Sequence, residues 1–169
     1  MTLVFARHPE PVGAAGLCYG RTDLPVTPAA VERAVTLVRS RLAGPVGPVV
    51  SSPLSRCVAL AAALAPAFTT DDRLVELDFG TWEGRRWDEL DRAEFDAWAG
   101  DYYHRAPPGG EAWGALFRRV EGFLADWRGR DAVIVTHAGV IRAALSLVTG
   151  MEPAKTLEVA VPFGGVVEL

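Results

Sequence analysis

Two short apolar runs, at residues 3–6 and 132–135, each end abruptly in a polar pair that contains a histidine: Arg7-His8 after the first, Thr136-His137 after the second. Short runs of this kind, rich in branched side chains, read as strands buried on both faces, the habit of a parallel sheet. A third run, Val49-Val50, leads into Ser51-Ser52. Helical patterns lie between these strands. Val31, Val35, Val38 and Leu42 recur at helical spacing after Thr27-Pro28, which reads as an N-cap with Pro at the first helical position, and Gly44-Pro45 stops the segment. Ser52-Pro53 opens a second helix expected to reach about residue 65, with Arg56 in its first turn. Trp113, Leu116, Phe117, Val120, Leu124 and Trp127 mark an amphipathic helix over residues 111–127. Strands alternating with helices predict an α/β fold: a single three-layer domain over residues 1–169, with a mostly parallel central sheet and helices on both faces.

The remaining segments are less regular. Residues 71–82 read as short strand-like pieces, 87–99 as a polar-faced helix, and 102–110 as an aromatic loop ending in Pro107-Pro108-Gly109-Gly110. After Thr136-His137 a helix through Val148 is closed by Gly150, and strand-like pieces near 157–161 and 165–169 finish the chain. Half of the 169 residues are hydrophobic, enough for a sizeable core. A net charge of -4 without a basic stripe argues against nucleic acid as a partner. No apolar run reaches the roughly 18–20 residues of a membrane span, and no leader pattern opens the chain. The two cysteines, Cys18 and Cys57, lack the spacing of a disulfide framework or a thiolate metal cluster. The expectation is a soluble cytoplasmic protein; a homo-oligomer is compatible with it.

In open α/β sheets ligands bind beyond the carboxyl ends of the strands. Three such ends here carry Arg7-His8, Ser51-Ser52 with Arg56, and Thr136-His137. A guanidinium offers a fixed fork of donors to phosphate oxygens, and a neutral imidazole nitrogen is nucleophilic near neutral pH. With helix N-termini starting near Ser52 and Gly139, these residues would make a cationic pocket for a dianion. A metal site built from His8, His104 and His137 has no familiar ligand spacing and is the weaker reading.

Arg7-His8, the segment 51–56 (Ser-Ser-Pro-Leu-Ser-Arg), the segment 74–84 with Glu76 and Glu83, and the segment 135–142 resemble, in order, the signature segments of the histidine phosphatase superfamily, which includes the cofactor-dependent phosphoglycerate mutases. Residues 18–25 and 98–111 look most like the α-ribazole-phosphate phosphatases of cobalamin biosynthesis. The resemblance implies that His8 is a nucleophile forming a phosphohistidine, that Arg7, Arg56 and His137 bind the phosphoryl group, and that Glu76, rather than Asp78 or Glu83, is the acid/base. It implies no metal or other cofactor. The expected partner is a small-molecule phosphate ester such as α-ribazole 5′-phosphate. Tyr19, Gly20, Arg21, Trp82 and Tyr102 are the expected substrate contacts, although aromatic residues at such positions are more often packing. Hydrolysis is favoured over mutase chemistry because the chain is too short for the large closing insertions that would exclude water. A third option is a weakly catalytic phosphate-binding module. It is motivated by Pro9, where the family usually has Gly, and by Pro11, where it has a small hydroxyl residue; Pro9 removes a backbone donor beside His8.

Overall fold

In the computed structural model, which describes residues 2–169, five strands form one sheet: β1 (Leu3–Arg7), β2 (Val49–Ser51), β3 (Thr69–Thr70), β4 (Ala132–Thr136) and β5 (Val166–Glu168). Their spatial order is β3-β2-β4-β1-β5, and β5 alone runs antiparallel to its neighbour. The six helices are α1 (Pro28–Arg41), α2 (Ser55–Leu64), α3 (Arg92–Ala99), α4 (Trp113–Trp127), α5 (Ala138–Thr149) and α6 (Pro153–Thr156). The expected mixed, mostly parallel α/β architecture is therefore present.

The alternation of side chains along the central strands decides the layers. Val4, Ala6, Val133 and Val135 join one core with Ala34 and Val38 of α1 and Cys57, Leu60 and Leu64 of α2. Leu3, Phe5, Ala132 and Ile134 join the other with Leu116, Val120 and Phe123 of α4 and Val140, Ile141 and Ala144 of α5. Phe5, Leu60, Leu116, Phe123 and Ile134 are fully buried, each contributing roughly 1.5–3 kcal/mol through apolar burial.

Register then places the chemistry. Arg7 pairs with Thr136 across the parallel β1/β4 ladder, so His8 and His137 leave the sheet side by side. Ser51 pairs with Val135, so Ser52 emerges next to them from β2. A slip of one residue would send these side chains to the opposite faces.

Three expectations for the irregular segments are corrected. Residues 71–82 hold two 3₁₀ turns, Asp72–Leu74 and Gly80–Trp82, in place of strand-like pieces. There Asp71 caps the first turn by accepting from the Arg73 amide, and Asp78 accepts from the Gly80 amide, so local side chains satisfy the backbone in place of a ladder. The helix expected at 87–99 is a 3₁₀ turn, Trp87–Glu89, followed by α3, which Asp91 caps. The strand expected at 157–161 is absent: Arg142 takes the carbonyls of Thr156 and Val159, and β5 already fills the free edge of β1. α2 also begins at Ser55, two residues beyond the expected start.

Candidate active site

His8 lies one residue past β1, with its amide donating to the Thr136 carbonyl, and is 2 % exposed. Its Nδ1 sits 2.7 Å from the Pro9 carbonyl oxygen. A carbonyl only accepts, so Nδ1 carries a hydrogen and the neutral ring leaves its lone pair on Nε2. Burial first, then the charges of Arg56 and Arg7, push its pKa down to about 3, against the opposing hydrogen bond to Pro9. Pro9 therefore serves this site through its carbonyl, which a proline retains.

His137, fully buried, is the N-cap residue of α5. Its ring centroid lies 5.1 Å from that of His8, edge to face. Arg56 Nη2 is 3.3 Å from His137 Nδ1, and Ser52 Oγ is 2.8 Å from Nε2. A guanidinium only donates, so Nδ1 is the acceptor and the Nε2 hydrogen points at Ser52. Burial, then the charges on His8, Arg56, Arg119 and Arg7, hold His137 well below its ordinary pKa.

Arg56 sits in the first turn of α2, fully buried. A cation at a helix N-terminus opposes the helix dipole, so it needs partners elsewhere. It finds them in the carbonyls of Thr22, at 2.7 Å, and Gly20. Arg7 donates to the Val161 carbonyl at 2.6 Å and lies 3.9 Å over the Phe163 ring. Tyr19 joins the two: its phenol meets Arg7, and Arg56 lies 5.3 Å from its ring. After all these contacts Arg7 Nε and Arg56 Nε remain buried without a hydrogen-bond partner. Trp98 Nε1 shares that state on a neutral indole, whereas the two guanidinium N–H groups belong to cations whose charge acts on His8, a setting that fits an oxyanion.

Glu76 stands beside them. Its carboxylate accepts from the Leu77 and Gly139 amides, at 2.9 and 3.0 Å, and so caps α5. A Cβ on Gly139 would come within 2.3 Å of Glu76 Oε1, so glycine is needed for this approach. Its rival Glu83 is occupied: its carboxylate accepts from the amides of Gly20, Arg21, Thr22 and Phe79 and from the Thr22 hydroxyl. Asp78 is engaged with Gly80 and with Arg21, 3.7 Å away.

The structure thus brings Arg7, His8, Tyr19, Arg56, Glu76 and His137 together. Gly20 contributes its carbonyl to Arg56, and a side chain there would collide with the Leu77 carbonyl at 1.8 Å. Arg21 is exposed between Asp78 and Glu111. Trp82 is corrected from a substrate contact to a packing residue: it is fully buried, its indole N–H donates to Glu94, and it packs on Phe95 and Trp98. Tyr102 is half-buried against Trp98 and Trp113. His104 is exposed and paired with Asp101, and among the described residues no cluster of three His, Cys, Asp or Glu side chains could hold a metal ion. Cys57 is fully buried 3.5 Å from His137 Nε2, with burial pushing its thiol pKa up, so it is an unreactive neighbour. Sequence reasoning missed the turn at 161–165, which supplies Val161 and Phe163 to Arg7 and whose Gly164 amide donates to the His8 carbonyl. Its Pro-Phe-Gly-Gly composition signals a turn but not its partner.

The fold is the one shared by proteins of the histidine phosphatase superfamily. The chain belongs to the histidine phosphatase superfamily, branch 1, which it matches over residues 3–169. A bifunctional protein of Mycobacterium tuberculosis is 41% identical over 123 residues, 68% of this chain; the match spans only 30% of that protein's length. A putative phosphoserine phosphatase 2 of Hydrogenobacter thermophilus is 27% identical over 178 residues, covering 99% of this chain and 88% of that one. The crystal structure of the α-ribazole phosphatase from Shigella flexneri superposes with a TM-score of 0.84 at 27% identity, covering 99% of this chain and 89% of that one. Among the described residues no helix is long and apolar enough to cross a membrane.

Proposed function

We propose that the chain, as one catalytic domain, hydrolyses a small phosphate monoester through a phosphohistidine on His8. The observation that carries this reading is the pair of orphaned guanidinium donors, Arg7 Nε and Arg56 Nε, buried around an imidazole whose Nδ1 is capped and whose Nε2 is unprotonated. The Nε2 lone pair attacks phosphorus as the ester P–O bond breaks. Arg7, Arg56 and His137 stabilise the charge spread over the equatorial oxygens, the chief task in phosphoryl transfer. Glu76 gives its proton to the departing alkoxide, then takes one from the attacking water as the N–P bond breaks and phosphate leaves. No metal is called for, since the two guanidinium groups can supply the charge.

The preferred substrate is α-ribazole 5′-phosphate or a closely similar ester, supported by the likeness to the Shigella enzyme along the whole chain. Turnover of an aryl phosphate in excess EDTA is the test, combined with trapping of acid-labile phosphate on the protein. His8→Ala is expected to abolish the trapped phosphate and lower turnover by at least about 10⁴-fold, the scale of losing a nucleophile. Trapping that survives the substitution, or turnover that EDTA removes, would overturn the mechanism. In a panel with phosphoserine and phosphoglycerate, α-ribazole 5′-phosphate is expected to give the highest kcat/KM; preference for another ester would replace the substrate and leave the chemistry standing.

A further inference from the structure

Glu83 contributes nothing to the reaction described above, yet its carboxylate carries five hydrogen bonds. Oε1 accepts from the amides of Gly20 at 3.0 Å, Arg21 at 2.9 Å and Phe79 at 3.1 Å, and Oε2 accepts from the Thr22 amide at 2.7 Å and the Thr22 hydroxyl. Three consecutive amides therefore face one carboxylate. The carbonyls of the same loop point the other way: those of Gly20 and Thr22 hold the two terminal nitrogens of Arg56. Carboxylate and guanidinium grip residues 20–22 from opposite sides.

We infer that Glu83 is a positioning residue for phosphoryl transfer, aiming the Arg56 guanidinium through the Gly20–Thr22 loop. Arg56 takes its orientation largely from those two carbonyls, with His137 Nδ1 at 3.3 Å and Asp23 Oδ1 at 3.8 Å as further contacts, and an arginine at a helix N-terminus receives no help from the dipole. The loop cannot aim itself. It is irregular, without side-chain packing at Gly20, and its three amides would otherwise lack an acceptor. A second tie fixes its far end: Asp23 accepts from the Ser55 amide and hydroxyl at the start of α2. The glycine at 20 belongs to the device, since a Cβ there would meet Glu83 Oε1 at 2.9 Å as well as the Leu77 carbonyl. Burial opposes the charge on Glu83, but the Thr22 hydroxyl and the loop amides outweigh it and hold the pKa below the usual carboxylate range.

This inference rests on Arg56 binding the phosphoryl group, and the test separates the two. The full chain and its variants Glu83→Gln, Arg56→Lys and the double variant are compared for kcat and KM on an aryl phosphate and for binding of inorganic phosphate. Glu83→Gln keeps the shape but turns a donor toward backbone donors. It is expected to lower kcat/KM by about 10- to 100-fold, the scale of an ångström-level misplacement, and to weaken phosphate binding. In the Arg56→Lys background it should add less than about twofold, because its effect passes through the fork that lysine lacks. Losses that multiply in the double variant, or an unchanged kcat/KM in Glu83→Gln, would overturn the positioning role. An Arg56→Lys enzyme with full activity would instead remove the site reading beneath it. Should Glu83→Gln not fold, Thr22→Val, which deletes one of the five donors, carries the same cycle with a smaller loss.

Discussion

The two ends of the sheet invite comparison. At the amino ends of β1 and β4 a cleft of about 780 Å³ opens between Leu3, the last turns of α4 and α5, and Leu169. It is roomy, yet its cations, Arg118, Arg128 and Arg130, lie exposed, Arg130 5.6 Å from the Trp127 ring. At the carboxyl ends His8, Arg56 and His137 are buried and two guanidinium N–H groups lack partners. Volume measures where a ligand has room. A desolvated N–H without a partner on a cationic group marks where an ionic ligand gains free energy, because a buried donor left alone costs about 1–3 kcal/mol that an oxyanion returns. The open cleft holds no such debt.

If that contrast is right, the largest effects come from the carboxyl end. His137→Ala, which removes the ring that Arg56 Nη2 meets at 3.3 Å, should cost about 10²-fold in kcat, the scale of misplacing a phosphate-binding group. Steady-state kinetics on an aryl phosphate check this, and a loss below about threefold would mean that the pocket is not where charge develops.

A mid-sized effect should appear in stability. In the unfolded chain both imidazoles titrate near about 6.5, whereas in the fold His8 is pushed down to about 3 and His137 well below its ordinary value, chiefly by burial. Below pH 6.5 the unfolded chain binds more protons than the folded one, so stability falls on acidification. The histidines' contribution is fully present above that pH and is lost progressively toward pH 3. Between pH 7.5 and 5.5 the loss is about 1.4 kcal/mol for His8, and His137 adds a loss of the same sign. Urea unfolding at the two pH values reads it, and His137→Asn, which cannot titrate, should make the difference smaller. A wild-type difference that His137→Asn leaves intact would contradict the burial argument.

Legibility in the sequence followed the same division. β1 and β4, their alternation and the helices behind them were readable because apolar periodicity is local. Arg7, His8, Arg56, Glu76 and His137 were nameable because four ordered segments matched a family. What a single stretch could not reveal was pairing across the chain. Nothing near Glu83 says that its partners are the amides of residues 20–22, 61 to 63 positions away, and nothing near Pro162 says that the adjacent Val161 carbonyl holds Arg7. Residues 71–82 were misread for a related reason. Their apolar side chains mimic a strand, while Asp71 and Asp78 satisfy the backbone locally. Trp82 illustrates the converse, an aromatic residue near the site by sequence that the fold spends on packing α3.

The smallest effect should come from the cleft at the amino ends. Arg130→Ala removes its most aromatic-associated cation, and an exposed cation–π contact is worth about 0.5–1 kcal/mol; the melting transition should shift by no more than that implies. kcat/KM should stay within about twofold, since Arg130 lies at the amino end of β4 whereas His137 leaves its carboxyl end. The variant is informative because the cleft has the room and the positive charge that a phosphate ester's leaving group would use. A tenfold fall in kcat/KM with unchanged stability would show that substrate reaches this end, and that orphaned donors mark only half of the binding surface.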